Sequence, residues 1–288
     1  MSLPEGVLLS QGSSLLAALS ALARDARCVF FAGLPGTGKS LLIHQVAHLA
    51  HARGRRIHLL QWDVARPAFE ASAAGRRYPQ EAGVTHGLIR VAVGRWTRPA
   101  LARWHAEHPA SDVLIGETPF VGHRLIELAR SIDDAAEPLL ASPATRFVIP
   151  VPSASLRRHL ESERARRASA PMHAREREDA PPDVLRGVWR ELVGVARALG
   201  LASVADDTAY DPATYRSVYE RLLTHRHAQA LVIDERLPTG GVSAYDFRIP
   251  TADLVPSEDD VARFIAEAEK RYPDAAALGR EIEGWFAL

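Results

Sequence analysis

The sequence predicts an α/β protein, a three-layer αβα sandwich built on a mainly parallel five-stranded sheet, with an inserted helical lid. Two observations lead to this fold class. Short apolar segments rich in β-branched and aromatic residues alternate with amphipathic helical segments, a pattern typical of parallel sheets. A glycine-rich turn also joins the first apolar segment directly to a helical one.

Residues 1–152 contain four of the five predicted strands. The first is the apolar run CVFFA at 28–32, which is bounded by Gly33. The others in this part cover 56–62, 112–116 and 145–151. Leucines at helical spacing predict a helix over 13–24, and a helix over 41–53 is closed by Gly54. Further helices are expected over 67–77, over 88–108 with interruptions near Gly94 and Pro99, and over 124–140.

The second half of the chain is predicted to be mostly helical. One helix covers 183–199, and Asp211 and Pro212 begin another that runs to about 225. The fifth strand, ALVID, covers 230–234. Ser257 precedes a helix over 258–271, and the last helix covers 275–286.

Three parts of the chain are distinguished by composition. Residues 1–152 form the predicted α/β core, which contains the glycine-rich turn. Residues 153–180 are rich in arginine and poor in apolar side chains, which indicates a mobile, mostly helical lid. Residues 181–288 are a helical remainder that completes the same core with the last strand.

Composition excludes several classes of protein. The 288 residues contain 35 Lys plus Arg and 35 Asp plus Glu, so a globally basic nucleic-acid binder is disfavoured, and no nucleic-acid partner is expected. A single cysteine, Cys28, excludes a disulfide framework. No apolar run is long enough for a membrane span, and the first residues lack the pattern of a signal peptide. A cytoplasmic protein with no membrane partner is therefore expected, and its oligomeric state is left open.

The strongest motif is the segment GLPGTGKS at residues 33–40, which fits the phosphate-binding pattern G-x-x-x-x-G-K-[ST]. Glycines allow backbone N–H groups to approach phosphate oxygens closely, and the following helix adds its positive N-terminal end. Lys39 is one of only two lysines, and its expected partners are the β- and γ-phosphates, whereas Ser40 supplies a hydroxyl to Mg²⁺. The predicted nucleotide-binding residues are Gly33, Pro35, Gly36, Thr37, Gly38, Lys39, Ser40 and Leu41.

This motif, with its strand and helix, resembles the P-loop NTPases. The segment Asp63-Val-Ala-Arg66 after the second strand narrows the resemblance to the small P-loop kinases, including the zeta-toxin and chloramphenicol-phosphotransferase groups. The resemblance implies that Asp63 accepts the proton of an acceptor hydroxyl and that Arg66 contacts substrate or phosphate. An Asp at this position could instead cap a helix.

Two acidic residues are alternative candidates for the carboxylate near Mg²⁺. Glu117 follows the third predicted strand and Asp234 ends the fifth. In the kinase branch the third strand lies beside the strand of the glycine-rich loop, so Glu117 is preferred and Asp234 is the alternative. An acid at this place is usually Asp, so Glu117 departs from the pattern.

The lid supplies further candidates. Arg157, Arg164 and Arg167 share a helical face by their spacing, and the resemblance implies that such arginines close over ATP and stabilise the transferring phosphate. The alternative is a solvated helix with pairs such as Arg157–Glu161. Thr118, His123 and Arg124 follow the third strand, where an acceptor would bind.

Three functions therefore remain open. The first is an ATP- and Mg²⁺-dependent kinase that transfers the γ-phosphate to a hydroxyl of a small molecule, with Lys39, Asp63, Arg66 and Glu117 as catalytic residues. The alternative is a P-loop ATPase, either AAA-type or a nucleotide switch, acting on a macromolecular partner. The pair Asp234-Glu235 and the abundant helix after residue 180 favour that alternative. The third is a degenerate nucleotide-binding module, suggested by the departure of Glu117 from the usual pattern.

Overall fold

The fold is described from a computed structural model, which covers residues 3–81, 83–173, 176, 182–201, 208–241, 243, 246 and 249–287. Within these residues the strands are β1 Cys28–Ala32, β2 Ile57–Leu60, β3 Val113–Thr118, β4 Thr145–Pro152, β5 Ala228–Ile233 and β6 Ala252–Asp253. The helices are α1 Ser14–Asp25, α2 Lys39–His51, α3 Trp62–Ala71, α4 Gly87–Glu107, α5 Glu137–Leu140, α6 Ala154–Ser169, α7 Pro182–Ala198, α8 Pro212–Leu222, α9 Glu258–Arg271 and α10 Ala275–Glu283.

All six strands form one parallel sheet in the order β5-β4-β1-β3-β2-β6. The predicted α/β class is confirmed, and the third strand does lie beside the first. The number of strands was wrong, because β6 comprises only two residues beside β2, too few to show any alternation of apolar side chains.

The sheet separates two apolar cores, which makes the fold three-layered. Side chains from alternate positions of β1, such as Val29 and Phe31, pack with α1 and α2 on one face. Phe30 and its neighbours pack on the other face, where α4, α7, α8 and α9 lie. Because β1 is central and buried at every position, the segment that follows it is anchored firmly.

One predicted helix is not formed, and another is continuous where interruptions were expected. The helix expected over 124–140 is a 3₁₀ turn, Ile126–Leu128, followed by irregular chain and the short α5. The interruptions expected near Gly94 and Pro99 are not seen, because α4 runs through both. Burial of Trp96 and Leu101 in the core outweighs the poor helix propensity of these two residues.

The segment predicted as a lid is helical over Ala154–Ser169, and its role as a lid stays a prediction. Helix α6 begins at the N-cap residue Ser153, whose side chain accepts a hydrogen bond from Leu156 N. Of the residues predicted as lid, 174, 175 and 177–180 lie outside the described part of the chain.

Candidate functional site

The glycine-rich loop, residues 33–40, connects the central strand β1 to the first turn of α2. Gly36 and Gly38 have φ angles of 77° and 85°, a left-handed conformation that favours glycine. The Leu34 carbonyl accepts hydrogen bonds from Thr37 Oγ1 and Lys39 Nζ, both at 2.9 Å. The loop therefore curves around the Leu34 carbonyl, and the Lys39 side chain contacts this carbonyl from the first turn of α2.

Lys39 lies at the centre of the charged groups around the loop. Burial lowers the pKa of Lys39 to about 8, while Glu117 and Asp63 act in the opposite direction. Arg164 and Arg157 add to the lowering of this pKa. Five residues that the sequence singled out separately thus share one electrostatic neighbourhood.

Glu117 is inside β3, not after it, because the strand extends to Thr118 and not only to Gly116. It is in register with Phe31 of β1. Since side chains alternate along a strand, Glu117 lies on the same sheet face as Ile115, which is the face covered by α2. The side chain is half-buried there, on the side of the sheet from which Lys39 and Ser40 of α2 approach.

Asp234 lies further from the loop. It follows β5, which is separated from β1 by β4. Its exposed carboxylate accepts a hydrogen bond from Ser153 Oγ, at the start of α6. The sheet order therefore brings Glu117, and not Asp234, to the strand next to the loop strand.

Asp63 and Arg66 lie in α3, whereas the sequence placed Asp63 at the end of the second strand. β2 ends at Leu60, Gln61 is the N-cap residue and Asp63 is in the first helical turn. Asp63 is therefore neither a strand residue nor the N-cap, and its side chain is 73% exposed. Arg66 Nη1 donates to Glu70 Oε2 at 2.6 Å, and its Nη2 lies 3.9 Å from Asp63 Oδ1.

Arg157 connects the lid helix to the glycine-rich loop. Its Nη1 donates to the Pro35 carbonyl at 2.8 Å, and its Nε donates to Glu161 at 2.6 Å. The guanidinium also lies 5.4 Å from the centre of the Tyr210 ring, within the range of a cation–π contact. Arg157 is thus fully buried, although it belongs to a polar helix.

The other two predicted lid arginines, Arg164 and Arg167, lie in different surroundings. Arg164 is near enough to Lys39 to lower its pKa. Arg167 instead forms a 3.1 Å ion pair with Glu176, a buried carboxylate that also accepts hydrogen bonds from Met172 N and Ser243 Oγ. The three arginines were predicted to share one helical face. Arg157 and Arg164 act on Lys39, whereas Arg167 pairs with Glu176.

The loop that follows β3 is strained. Phe120, His123 and Leu125 all have φ angles between 62° and 64°, which is uncommon for residues other than glycine. Each such residue costs about 1–3 kcal/mol, and such strain tends to cluster at functional sites. Of the acceptor contacts suggested from sequence, Thr118 is fully buried and His123 is hydrogen-bonded to Glu281 at 2.9 Å. Arg124 lies within electrostatic range of Asp63 and Arg66.

Sequence analysis missed two tyrosines of α8. A Cβ atom on Gly33 would lie only 2.2 Å from the buried Tyr215 hydroxyl, so this tyrosine packs directly on the start of the loop. Tyr219 Oη donates to the Pro119 carbonyl at 2.7 Å. The only sequence signal was aromatic residues four apart on an amphipathic helix, which equally predicts ordinary core.

A second polar cluster was also missed, at the opposite end of the sheet. His58 Nε2 lies 3.0 Å from Asp112 Oδ2, and His108 lies beside them, so that the three could offer ligand atoms within 4.8 Å of one another. However, Arg27 and Arg55 both donate to the Asp112 carbonyl. Their positive charge disfavours a further cation, so we interpret this cluster as a hydrogen-bonded one.

Comparison of the chain with protein-family models, with curated proteins and with solved structures found no match. Among the helices of the described residues, none combines the length and the apolar character that crossing a membrane requires.

Proposed function

We propose that this chain is an ATP- and Mg²⁺-dependent kinase that transfers the γ-phosphate to a hydroxyl group of a small molecule. The observation that carries the proposal is the convergence on Lys39 of a glycine-rich loop, two acids on neighbouring elements and two arginines of α6. Catalysis of phosphoryl transfer consists mainly of positioning and charge stabilisation, and these residue types supply both.

The loop has the features that a triphosphate requires. Gly38 offers no side chain to cap α2, so the N–H groups of the first helical turn are available to an anion. The space beyond Gly38 is open, since a Cβ atom there would meet no described atom within 4 Å. Lys39 would exchange the Leu34 carbonyl for phosphate oxygens, and their negative charge would favour its charged form further.

Ser40 and Glu117 would hold Mg²⁺, because both offer the oxygen ligands that this ion prefers. Bound Mg²⁺ supplies neutralisation of charge on the transferring phosphate. Ser40 is the second residue of α2 and Glu117 lies on the sheet face that α2 covers. The two residues therefore approach the loop from adjacent elements.

Asp63 would accept the proton of the acceptor hydroxyl. Its exposure leaves the carboxylate accessible to a substrate, and its effect on the pKa of Lys39 places it close to the loop. Arg66 would hold Asp63 in position, since it is fixed by Glu70 on the next helical turn. Arg157 and Arg164 would stabilise the charge that moves between donor and acceptor.

The alternative is an ATPase acting on a macromolecular partner. It depended on the pair Asp234-Glu235 as the magnesium-side acids. The position of β5 at the edge of the sheet weakens this support, because β4 lies between Asp234 and the loop strand.

Incubation with γ-labelled ATP, Mg²⁺ and a fractionated metabolite extract tests the proposal. We expect label on a new small molecule with the wild-type chain and none with Lys39→Ala. Lys270→Ala removes the exposed lysine of α9 and is the matched control, which should retain transfer. Label found only as free phosphate would favour the ATPase.

A further inference from the structure

Two arginines from different elements converge at Gly122, and one of them, Arg124, lies within electrostatic range of the candidate base Asp63. Arg90 Nη1, from α4, donates to the Gly122 carbonyl at 2.5 Å. Arg124 Nη1, from the loop after β3, donates to the Val121 carbonyl at 2.6 Å. A Cβ atom on Gly122 would lie 3.0 Å from Arg90 Nη1 and 2.8 Å from Arg124 Nη1. Only a glycine therefore allows both guanidinium groups to approach this point.

The hydrogen bonds that hold these two guanidinium groups bring no countercharge, since main-chain oxygens carry no full charge. The carboxylate of Glu191 acts favourably on both groups, and it only partly offsets their burial. Among the described residues, none accepts a hydrogen bond from the buried Arg90 Nε. Burial and repulsion by Arg124 lower the pKa of Arg90 to about 10. Burial likewise lowers the pKa of Arg124. An anion placed between the two groups would relieve both effects.

The arginine pair is connected both to the candidate base and to a cavity. Arg124 is within electrostatic range of Asp63 and of Glu191. Arg90 lines an open cavity of about 390 Å³ together with the carboxylates of Glu191 and Glu283. The rest of its wall is mainly apolar and includes Val195, Ile282 and Phe286. This volume suits a small molecule.

The order of the strands separates the arginine pair from the lid arginines. α6 follows β4 on one side of β1, whereas the arginine pair and Asp63 follow β3 and β2 on the other. The carboxyl ends of parallel strands lie at one edge, so the glycine-rich loop separates the lid from the arginine pair.

We propose that the phosphate acceptor is itself an anion, a hydroxyl compound bearing a carboxylate or phosphate group that Arg90 and Arg124 bind while Asp63 faces the hydroxyl. This inference rests on the proposed function. It assigns to the pair a role in selecting the acceptor: the O–H bond of the acceptor breaks, its proton passes to Asp63, and the oxygen attacks the γ-phosphorus as ADP leaves.

Matched pairs of compounds test this substrate class. Glycerol is the neutral member of the set, D-glycerate bears a carboxylate and glycerol 3-phosphate bears a phosphate, and each is assayed with ATP and Mg²⁺ for transfer of label to a hydroxyl. We expect kcat/KM to be at least about 100-fold higher for the charged member of a pair, and the carboxylate and phosphate arms show which group is preferred. Arg90→Gln and Arg124→Gln should raise KM for the charged acceptor about tenfold or more with little change in KM for ATP. Arg103→Gln, on the exposed side of α4, is the matched control.

Binding measured without turnover separates this inference from the proposed function. The same compounds are titrated calorimetrically into protein saturated with a non-hydrolysable ATP analogue. Binding of the charged members that both arginine variants lose, with no transfer, would support the anion site and overturn the kinase. Transfer to neutral members with equal kcat/KM would overturn the anionic acceptor and leave the kinase intact. Neither binding nor transfer with any member would overturn both.

Discussion

Arg157 of the lid helix donates its Nη1 hydrogen to the carbonyl of Pro35, in the middle of the glycine-rich loop, at 2.8 Å. This contact links two segments that are 122 residues apart. It holds α6 against the loop and places a buried positive charge beside the candidate phosphate site. Helix α6 is therefore joined directly to the glycine-rich loop through a main-chain carbonyl.

The first prediction concerns this contact. Arg157→Gln should lower kcat/KM for ATP about 10- to 100-fold, because both the lid position and one positive charge are lost. Hydrogen exchange of residues 33–40 should also become faster. Arg158→Gln, which changes an exposed neighbour on the same helix, should alter neither. Equal effects of the two variants would contradict a specific role for Arg157.

Nucleotide affinity should depend on pH through Lys39. Burial lowers the pKa of Lys39 to about 8 in the free protein, and phosphate would favour the charged form. Above about pH 8 binding must then recover a proton, so affinity should fall roughly tenfold per pH unit until the pKa of the bound state is reached. Calorimetric titration of ADP between pH 6.5 and 10 measures this slope. Lys39→Arg, which stays charged, should lack it.

Asp63→Asn should separate chemistry from binding. Loss of a general base costs about 10²- to 10⁴-fold in rate. Because the Asp63 side chain is exposed and lies in α3, not in the loop, nucleotide affinity should stay within about twofold of wild type. Single-turnover transfer and ADP titration measure the two quantities. A parallel loss of both would make Asp63 a structural residue.

Gly33→Ala should destabilise the fold through Tyr215. The added Cβ would lie 2.2 Å from the Tyr215 hydroxyl but 3.5 Å from the ring carbon that bears it. Overpacking of this kind costs about 1–3 kcal/mol of unfolding free energy. Removing the hydroxyl should relieve it, so Gly33→Ala with Tyr215→Phe should be more stable than Gly33→Ala alone in urea unfolding. An absence of rescue would place the strain elsewhere in the loop.

Glu281 should stabilise the protein in a pH-dependent way. Hydrogen bonds from His123 and Arg130 lower its pKa to about 2 in the folded state. A carboxyl with a lowered folded pKa stabilises the protein above its unfolded pKa near 4.5, and this contribution disappears as the pH falls toward 2. Glu281→Gln should therefore cost about 2 kcal/mol of unfolding free energy at pH 7. The difference from wild type should shrink through that window, as followed by urea unfolding at each pH.

The local sequence determined the parts of the site that depend on neighbouring residues. The apolar run ending at Ala32, the glycines that follow and the helix that begins at Lys39 are all readable in order, because each conformation is favoured by the residues that adopt it. The same holds for α6, where Ser153 begins a polar helical segment. From these features the sequence predicted the fold class and the position of Lys39 at the start of the helix after the glycine-rich loop.

Tertiary structure decided where helices and strands end when burial competes with local preference. The chain after Arg124 has apolar residues at the spacing of an α-helix. An α-helix does not begin there, because the preceding residues His123 and Leu125 have a left-handed conformation. Ile126 and Leu128 are instead buried as part of a 3₁₀ turn. α4 passes through Pro99 because its apolar face is covered on both sides of that residue. β6 exists only because β2 offers it a partner.

The grouping of charges was likewise invisible in the sequence. Nothing local distinguishes Arg90 from any other arginine of a helix, or separates Arg164 from Arg167 on one predicted face. Arg90 meets Arg124 only because α4 packs against the strained loop after β3, and Arg167 turns away only because Glu176 is held nearby by Ser243. Residue types and their spacing along the chain therefore determined which chemistry is available, whereas the packing of distant elements decided which of those residues share a site.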